Sequence, residues 1–455
     1  MQRVIVIGAS LAGLLAAAGI SDAGGANRPV TVLDRDPTPV DGTARPGVPQ
    51  GRQPHVLLRR GLLALQELLP DLRPALLARG AVPLDTGDLA WRDVTGWALH
   101  GEPAHEILSL TRPLLEAVVA EQVGALPGVT IRRGAAVTDL RRVGRSWQIR
   151  LDDGSTLTAD VVVDASGRSS RLPQWLAGMG VGPADETVVD ARLGYSCRLY
   201  AGGPDPRELA GVVVLSDPTL PKGGIGLPVE NGGWIIAATG TGDCRPPRDE
   251  AEFDAYLTGL RDPALADLAA SCTGGGPVAV HRQTANRRRA YDQVPHWPAG
   301  LLPVGDAMCA FNPVYGQGIT VAALQATTLR REWPARMDPA ATRKLLSRLT
   351  STTALPWAMA VGEDLRFPTT PGSQGLVQQL TGAWAREVGR LGVHGDRRAT
   401  RALTTTYHLM GSPLAMLDPR LVLRAGLDLV GVRGAPNPRP AVLETLVEPA
   451  HAPAG

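Results

Sequence analysis

Residues 4–20 read VIVIGASLAGLLAAAGI: a short β-branched run, a glycine-containing turn, then small apolar residues at helical spacing. Residues 3–7, RVIVI, have the composition of a strand buried on both faces of a parallel sheet. GASLAG, residues 8–13, follows at once as G-x-x-x-x-G, with Ser10 where the usual dinucleotide fingerprint places its middle glycine. Gly8 permits the tight turn, and Gly13 lets the helix pack closely on the strand. Ser10 is small enough for a pyrophosphate to approach, and the helix start containing Leu11 and Ala12 offers unpaired N–H groups to phosphates. VTVLD, residues 30–34, reads as the next strand. Asp34 lies 21 residues after Gly13, where a carboxylate accepts hydrogen bonds from a ribose and repels a 2′-phosphate. Arg35 beside it is counted with the cofactor residues. Strand, turn, helix, strand and acid in this order predict a dinucleotide-binding βαβ unit, with FAD and NAD both open.

The same stretch argues against two other readings. A secretory signal peptide needs a basic start, an uninterrupted apolar run and a cleavage site, whereas Gly8, Ser10 and Gly13 interrupt this run and the strand-like TVLDRD follows it. A membrane helix of about 20 apolar residues would not carry a glycine-rich turn at its fifth position. A protein without an integral membrane segment, located in the cytoplasm, is expected. A chain of 455 residues predicts two or three interleaved units. With 44% hydrophobic and 20% charged residues it suits a globular protein with a large core, and a net charge of +2 leaves no footprint for nucleic acid or acidic membranes. The four cysteines, at 197, 244, 272 and 309, form no CxxC pair, which fits a reducing compartment and predicts no metal site.

GDAMCAFNPVYGQG, residues 305–318, decides between the two cofactors. Residues 300–304 read as a strand ended by Gly305 and Asp306, and GITVAALQATTLRREW, from 318, reads as a helix. Here the chain resembles the group A FAD-dependent monooxygenases, the superfamily with the para-hydroxybenzoate hydroxylase-like fold. The resemblance implies non-covalent FAD, with Asp306 on the ribityl chain and Pro313, Gly316 and Gly318 shaping the loop beside the isoalloxazine ring. N–H groups at a helix start can stabilise the negative charge that flavin N1 and the C2 carbonyl gain on reduction. By the same resemblance Arg112, opening the helix of TRPLLEAVVAEQV, contacts FAD, and Val137 in RRGAAVTDL lies against the adenine. Arg52 and His55, in the segment 45–72, pass beside the flavin. GYSCRLY (194–200), ANRRRAYD (285–292) and GEDLRFPTTPG (362–372) further resemble the bacterial secondary-metabolism branch that includes polyether olefin epoxidases.

The expected fold is α/β (α+β overall): a Rossmann-like FAD-binding domain, a β-sheet substrate domain and a C-terminal helical region. Residues 1–75, 105–180 and 282–335 would form the discontinuous FAD domain, and 76–104 with 181–281 the substrate sheet over the flavin. Residues 336–434 would form the helical cap, and 435–455 an Ala/Pro-rich tail. Only 18 aromatic residues occur, and Trp97, Tyr195, Trp234, Phe311 and Tyr315 are the candidates for lining a pocket for an apolar small molecule.

No catalytic side chain stands out, and the resemblance implies that none is needed. The cofactor carries the difficult chemistry, as a C4a-hydroperoxide formed from reduced flavin and O2, while the protein positions substrate and excludes water. The absence of an obvious base favours olefin epoxidation slightly over hydroxylation of an electron-rich ring. A redox-neutral cyclase, for example one catalysing [4+2] closure with FAD as scaffold, and a flavin-linked dehydrogenase stay open as alternatives. NAD(P)H or reduced flavin would supply electrons. DASGRSSR, residues 164–171, places Ser166 where many hydroxylases of the superfamily carry an Asp, so direct reduction by NAD(P)H is expected to be slow and a separate flavin reductase is kept as a partner. Without a carboxylate at 166, Arg168 and Arg171 are expected to be free to meet phosphate.

Overall fold

The β-branched run at the N-terminus becomes the central strand of a five-stranded parallel sheet in the computed structural model, which describes residues 2–25, 28–38, 44–45, 47–429 and 434–446. The sheet order is Leu301–Pro303, Val161–Asp164, Val4–Ile7, Val30–Leu33 and Val129–Arg132, parallel throughout. Val4–Ile7 and Val161–Asp164 are buried at every residue, which is why they read as continuous apolar runs rather than alternating ones. The helix Leu11–Ser21 buries all of its residues but Ala12, because the sheet covers one side and the helix Gln317–Glu332 covers another. A Cβ on Gly19 would overlap the Ala326 carbonyl oxygen, so the two helices meet backbone against backbone. Two stretches three hundred residues apart in sequence are thereby joined in one core.

GYSCRLY and GGWIIAATG pair as neighbours, Gly194–Tyr200 with Trp234–Gly240, in a six-stranded mixed sheet. Its order is Ala279–His281, Gly194–Tyr200, Trp234–Gly240, Lys222–Pro228, Val212–Val214 and Ala90–Arg92. Side chains alternate between its faces. Tyr200, Trp234, Ile236 and Ala238 pack outward on the helices Glu250–Thr258 and Ala264–Ser271. Ile225, Leu227 and Ile235 cluster on the other face with Val56 and Trp91.

Two smaller sheets cross the expected domain boundaries. Glu186–Val189 pairs with Asn286–Arg289, which pairs in turn with Cys309–Ala310, so a strand assigned to the substrate domain is continuous with two assigned to the FAD domain. Val82–Asp85 pairs with Glu106–Ser109 across the boundary at 104. The C-terminal helices also divide. Leu345, Leu346 and Leu349 of Pro339–Ser351 and Ala360 of Ala354–Asp364 join the main core, whereas Leu376–Val393, Arg397–Tyr407 and Pro419–Leu429 share a cluster of their own. The described part of the expected tail docks on the six-stranded sheet's outer cluster and on the helix Leu376–Val393. Asn437 Nδ2 donates to the Trp97 and Gly392 carbonyls at 3.1 and 3.0 Å, and Leu443 is buried beside the Tyr200–Trp234 cluster. Residues 447–455 lie outside the described residues. No helix among the described residues is long and apolar enough to cross a membrane, and no group of His, Cys, Asp and Glu there could hold a metal ion.

Candidate active site

The turn after the first strand is held by backbone constraints. Gly8 has φ +103°, and a Cβ there would lie 2.5 Å from the Ala165 carbonyl oxygen. Gly13, at the third helical position, stands over the Gly8 carbonyl with no room for a side chain. Leu11 is core, Ala12 partly buried, and Ser10 sits at the N-cap with its hydroxyl turned away from the helix. That hydroxyl donates to Glu116 Oε1 at 2.7 Å, and Arg112 reaches both groups, with Nε 3.0 Å from Glu116 Oε1 and Nη2 3.1 Å from Ser10 Oγ. Asp34 accepts from the backbone N–H of Ala9 at 2.5 Å and of Asp36 at 2.8 Å.

Arg45 ties these groups together. Its Nε bonds Glu116 Oε2 at 2.9 Å, and its Nη1 lies 3.2 Å from Asp36 Oδ2 and 3.4 Å from Asp34 Oδ2. Burial alone would push the Glu116 carboxyl up and the Arg45 guanidinium down. The mutual attraction wins: Arg112 and Arg45 hold Glu116 below its ordinary value, and Glu116, Asp34 and Asp36 hold Arg45 above its own. Arg133 stands at the edge of the cluster, 3.9 Å from Asp34, with a buried Nη1 that no hydrogen-bond acceptor among the described residues meets.

Arg45, Asp36, Glu116 and Arg133 were not among the residues singled out from sequence. Glu116 carried the one legible signal, an i,i+4 spacing from Arg112 on the same helix. Arg35, by contrast, is 63% exposed and lies 4.0 Å from Asp36, outside the cluster. Arg52 is also exposed, and its carbonyl accepts from Cys197 Sγ at 2.7 Å. His55 bonds the Gln53 carbonyl through Nδ1 at 2.8 Å, and burial and Arg112 push its pKa down to about 3. Val137 begins the strand Val137–Val143, partly buried against the main core.

The second half of the site abuts the first. A Cβ on Gly305 would come 2.7 Å from that of Ala12, so the G-D pair meets the start of the first helix. The Asp306 carboxylate is partly exposed, 3.6 Å from Arg168 Nε. Arg168 also donates to the Ala285 carbonyl at 2.7 Å and to the Phe311 carbonyl, so the expectation that it is free to meet phosphate is corrected. Arg171 is exposed over the Trp175 ring. Asp164, fully buried, accepts 2.5 Å bonds from the Ser166 and Ser170 hydroxyls, and burial raises its pKa despite them. The Ser166 hydroxyl is therefore committed to Asp164.

Asn312 caps the turn Pro313–Tyr315, accepting from Val314 N at 3.2 Å, and Gly316 in the left-handed region starts the helix Gln317–Glu332. Around a Cβ placed on Gly318 there is open space to 4 Å, as needed where a flat ring would pass the helix start. Asp364, from the C-terminal region, holds this loop. It accepts from Asn286 Nδ2 at 2.6 Å, Asn312 Nδ2 at 3.0 and 3.1 Å and the Tyr315 hydroxyl at 2.9 Å. All three donors are neutral, and burial pushes the Asp364 pKa up to about 6. Tyr195, on the sheet, lies within electrostatic reach of Asp364, Tyr407 and Arg168.

Of the five aromatic candidates, Tyr195 and Tyr315 thus converge on the loop. Trp97 and Trp234 are corrected: both belong to the core cluster on the outward face of the six-stranded sheet, and Trp234 Nε1 is bound to the Pro204 carbonyl at 3.1 Å. Phe311 is packed in the main core.

The geometry suits FAD: the Gly8–Gly13 turn opens a helix whose start meets the Gly305–Asp306 pair, and open space surrounds Gly318.

No family model matches the chain. Protein Rv3254 of Mycobacterium tuberculosis is 34% identical over 391 residues, covering 80% of this chain and 81% of that protein. Rifampicin monooxygenase of Rhodococcus hoagii is 27% identical over 333 residues, covering 72% of this chain and 63% of that one. The fold matches a variant of HpxO of Klebsiella pneumoniae, solved with FAD, at a TM-score of 0.59 and 17% identity over 94% of this chain and 98% of that chain. The chain is thus of one family with Rv3254 and has the fold of the FAD-bound HpxO variant.

Proposed function

We propose that the protein inserts one atom of O2 into an apolar, natural-product-like small molecule, by hydroxylation or epoxidation. The observation that carries this reading is the placement of the loop Asn312–Gly318. The Asp364 hydrogen bonds lock it, and it lies within electrostatic reach of Tyr195 on the inner sheet face. Bound FAD, once reduced by NAD(P)H or through reduced flavin, supplies the activation of oxygen.

The chain's own residues do the rest. Asp34 and the Arg45–Glu116–Arg112 network would hold the adenosine and pyrophosphate end, and Asp306 would accept hydrogen bonds from the ribityl hydroxyls. The N–H groups at the start of Gln317–Glu332 would stabilise negative charge on the reduced ring. Ile225, Leu227, Ile235, Val56 and Trp91 supply an apolar wall that keeps water from the reacting face. Asp364 adds a titratable group on the loop, which supports hydroxylation of an electron-rich ring alongside epoxidation.

Incubation of the FAD-loaded protein under ¹⁸O2 with NADPH and a panel of aromatic polyketides and terpenoid alkenes tests the reading. A product carrying one ¹⁸O atom is expected. Product formed without oxygen would establish the cyclase alternative instead.

A further inference from the structure

The apolar stripe of the helix Leu376–Val393 is covered over only half its length. Val377, Leu380, Trp384, Val388 and Leu391 recur three or four residues apart and therefore share one face of the helix. Val388 and Leu391 are buried against the helices Arg397–Tyr407 and Pro419–Leu429, and Trp384 packs at the edge of the same cluster. One turn further out the cover stops. Leu380, Val377 and the neighbouring Leu376 are 63, 74 and 71% exposed. The bare turns are nonetheless well-formed helix. Gln378 Oε1 accepts from the Gly375 N–H at 3.1 Å, and Thr381 Oγ1 donates to the Val377 carbonyl at 2.8 Å.

The turn Pro413–Leu417 extends the bare face. The Trp384 indole N–H donates to the Met416 carbonyl at 2.8 Å, which fixes that turn beside the helix. Leu414 and Leu417, on either side of Met416, are 70 and 54% exposed. Thirteen large apolar side chains are exposed among the described residues, and nine of them lie between 376 and 427, so the exposure is gathered in one module. Single exposed apolar residues are ordinary, whereas a gathered set marks an interaction surface.

Two further properties say what covers it. Residues 367–385 and 409–417 contain no charged side chain. Along the chain they are bordered by Arg366, already paired with Glu363, and by Arg386 and Asp418, so both signs occur at the rim. An anionic membrane is met by an apolar face rimmed with Lys and Arg, and a charged partner by opposite charge. This face offers neither. A two-fold contact sets a patch against its own copy, where a charge near the axis meets its like, so an uncharged face is self-complementary. The polar groups of the region are also satisfied: Gln374, Gln378, Gln379 and Ser412 all hydrogen-bond within the chain. Covering the face leaves none of these four unpaired.

We propose that this face is a self-association surface. The first turns of Leu376–Val393 and the turn Pro413–Leu417 pack against the same elements of a second copy about a two-fold axis. The half of the stripe left bare in one chain is covered by its mate, and the small core of the helical module continues across the axis. None of these residues belongs to the cofactor site described above.

Sedimentation equilibrium of the full chain at micromolar concentration tests this, and the expected mass is twice that of the chain. Replacing Leu376 and Leu380 together by Glu puts carboxylates on the face, where each meets its like across the axis. The dimer dissociation constant should rise at least about tenfold. Both side chains are exposed, and a carboxylate in the first turn of a helix is favourable, so the far-ultraviolet circular dichroism should not change. Leu414→Glu, on the turn and outside the helix, should weaken the dimer independently. Val143→Glu, at an exposed apolar position on a different sheet, should leave the dimer intact. A monomeric parent would overturn the proposal, and so would a dimer that survives both the paired substitution and Leu414→Glu. Loss of the dimer in Val143→Glu to the same extent would also overturn it, by showing that the face has no special part. A monomeric parent that sediments with vesicles of phosphatidylcholine and phosphatidylglycerol would give the face to a membrane instead.

Discussion

Replacing Asp364 by Asn should change how stability depends on pH, and the change can be worked from the structure. Asp364 is 2% exposed and takes its hydrogen bonds from Asn286, Asn312 and Tyr315, none of which carries a charge. Burial therefore dominates, and the pKa rises to about 6 against an ordinary carboxyl value of about 3.9. The difference of about 2 units corresponds to roughly 3 kcal/mol at about 1.4 kcal/mol per unit. Because the folded value lies above the unfolded one, the folded chain binds the extra proton between pH 4 and pH 6. Stability from this group is fully present below pH 4, falls as pH rises through 6, and levels off above. Asparagine does not titrate, so the difference between parent and Asp364→Asn should fall by about 3 kcal/mol from pH 4 to pH 8. Urea unfolding of both proteins at pH 4, 5, 6, 7 and 8 measures it. A difference independent of pH, or a parent that gains on the variant as pH rises, would refute the reasoning, the latter by implying a cation at the carboxylate.

Four other outcomes are expected. Asp306→Ala should weaken FAD retention by about 1.5–3 kcal/mol, since the ribityl hydroxyls lose a charged acceptor, and equilibrium dialysis reads it. Arg45→Met leaves Asp34, Asp36 and Glu116 buried without their shared cation and should destabilise by about 3–5 kcal/mol in denaturant unfolding. Gly19→Ala forces a methyl against the Ala326 carbonyl and should cost about 1–3 kcal/mol, with a lowered melting temperature. Stopped-flow absorbance at the flavin band should show slow, weakly saturable reduction by NADPH alone, because the Ser166 hydroxyl and Arg168 are both committed inside the protein; fast saturable reduction would contradict this.

What could be read along the chain was what neighbouring residues decide among themselves. A β-branched run, two spaced glycines, an acid at the end of the next strand and a G-D pair before a glycine loop each report a local backbone requirement, and these set the parallel sheet and the cofactor halves. The pairing of those halves needed the fold, because it rests on Gly19 meeting Ala326 and Gly305 meeting Ala12 across three hundred residues. Charge was equally opaque in sequence. Arg35 and Arg45 have the same side chain, yet one is 63% exposed and the other binds three buried carboxylates, since burial and not residue type decides what a guanidinium does. The same holds for aromatics. Trp234 and Tyr195 lie on adjacent strands of one sheet, and a strand sends successive side chains to opposite faces, so only register determines that Trp234 fills the outer core while Tyr195 takes the opposite face. Asp364 is the furthest case: nothing in GEDLRF marks its aspartate, and its role arises only because the chain's return brings it under Asn286, Asn312 and Tyr315, three neutral donors.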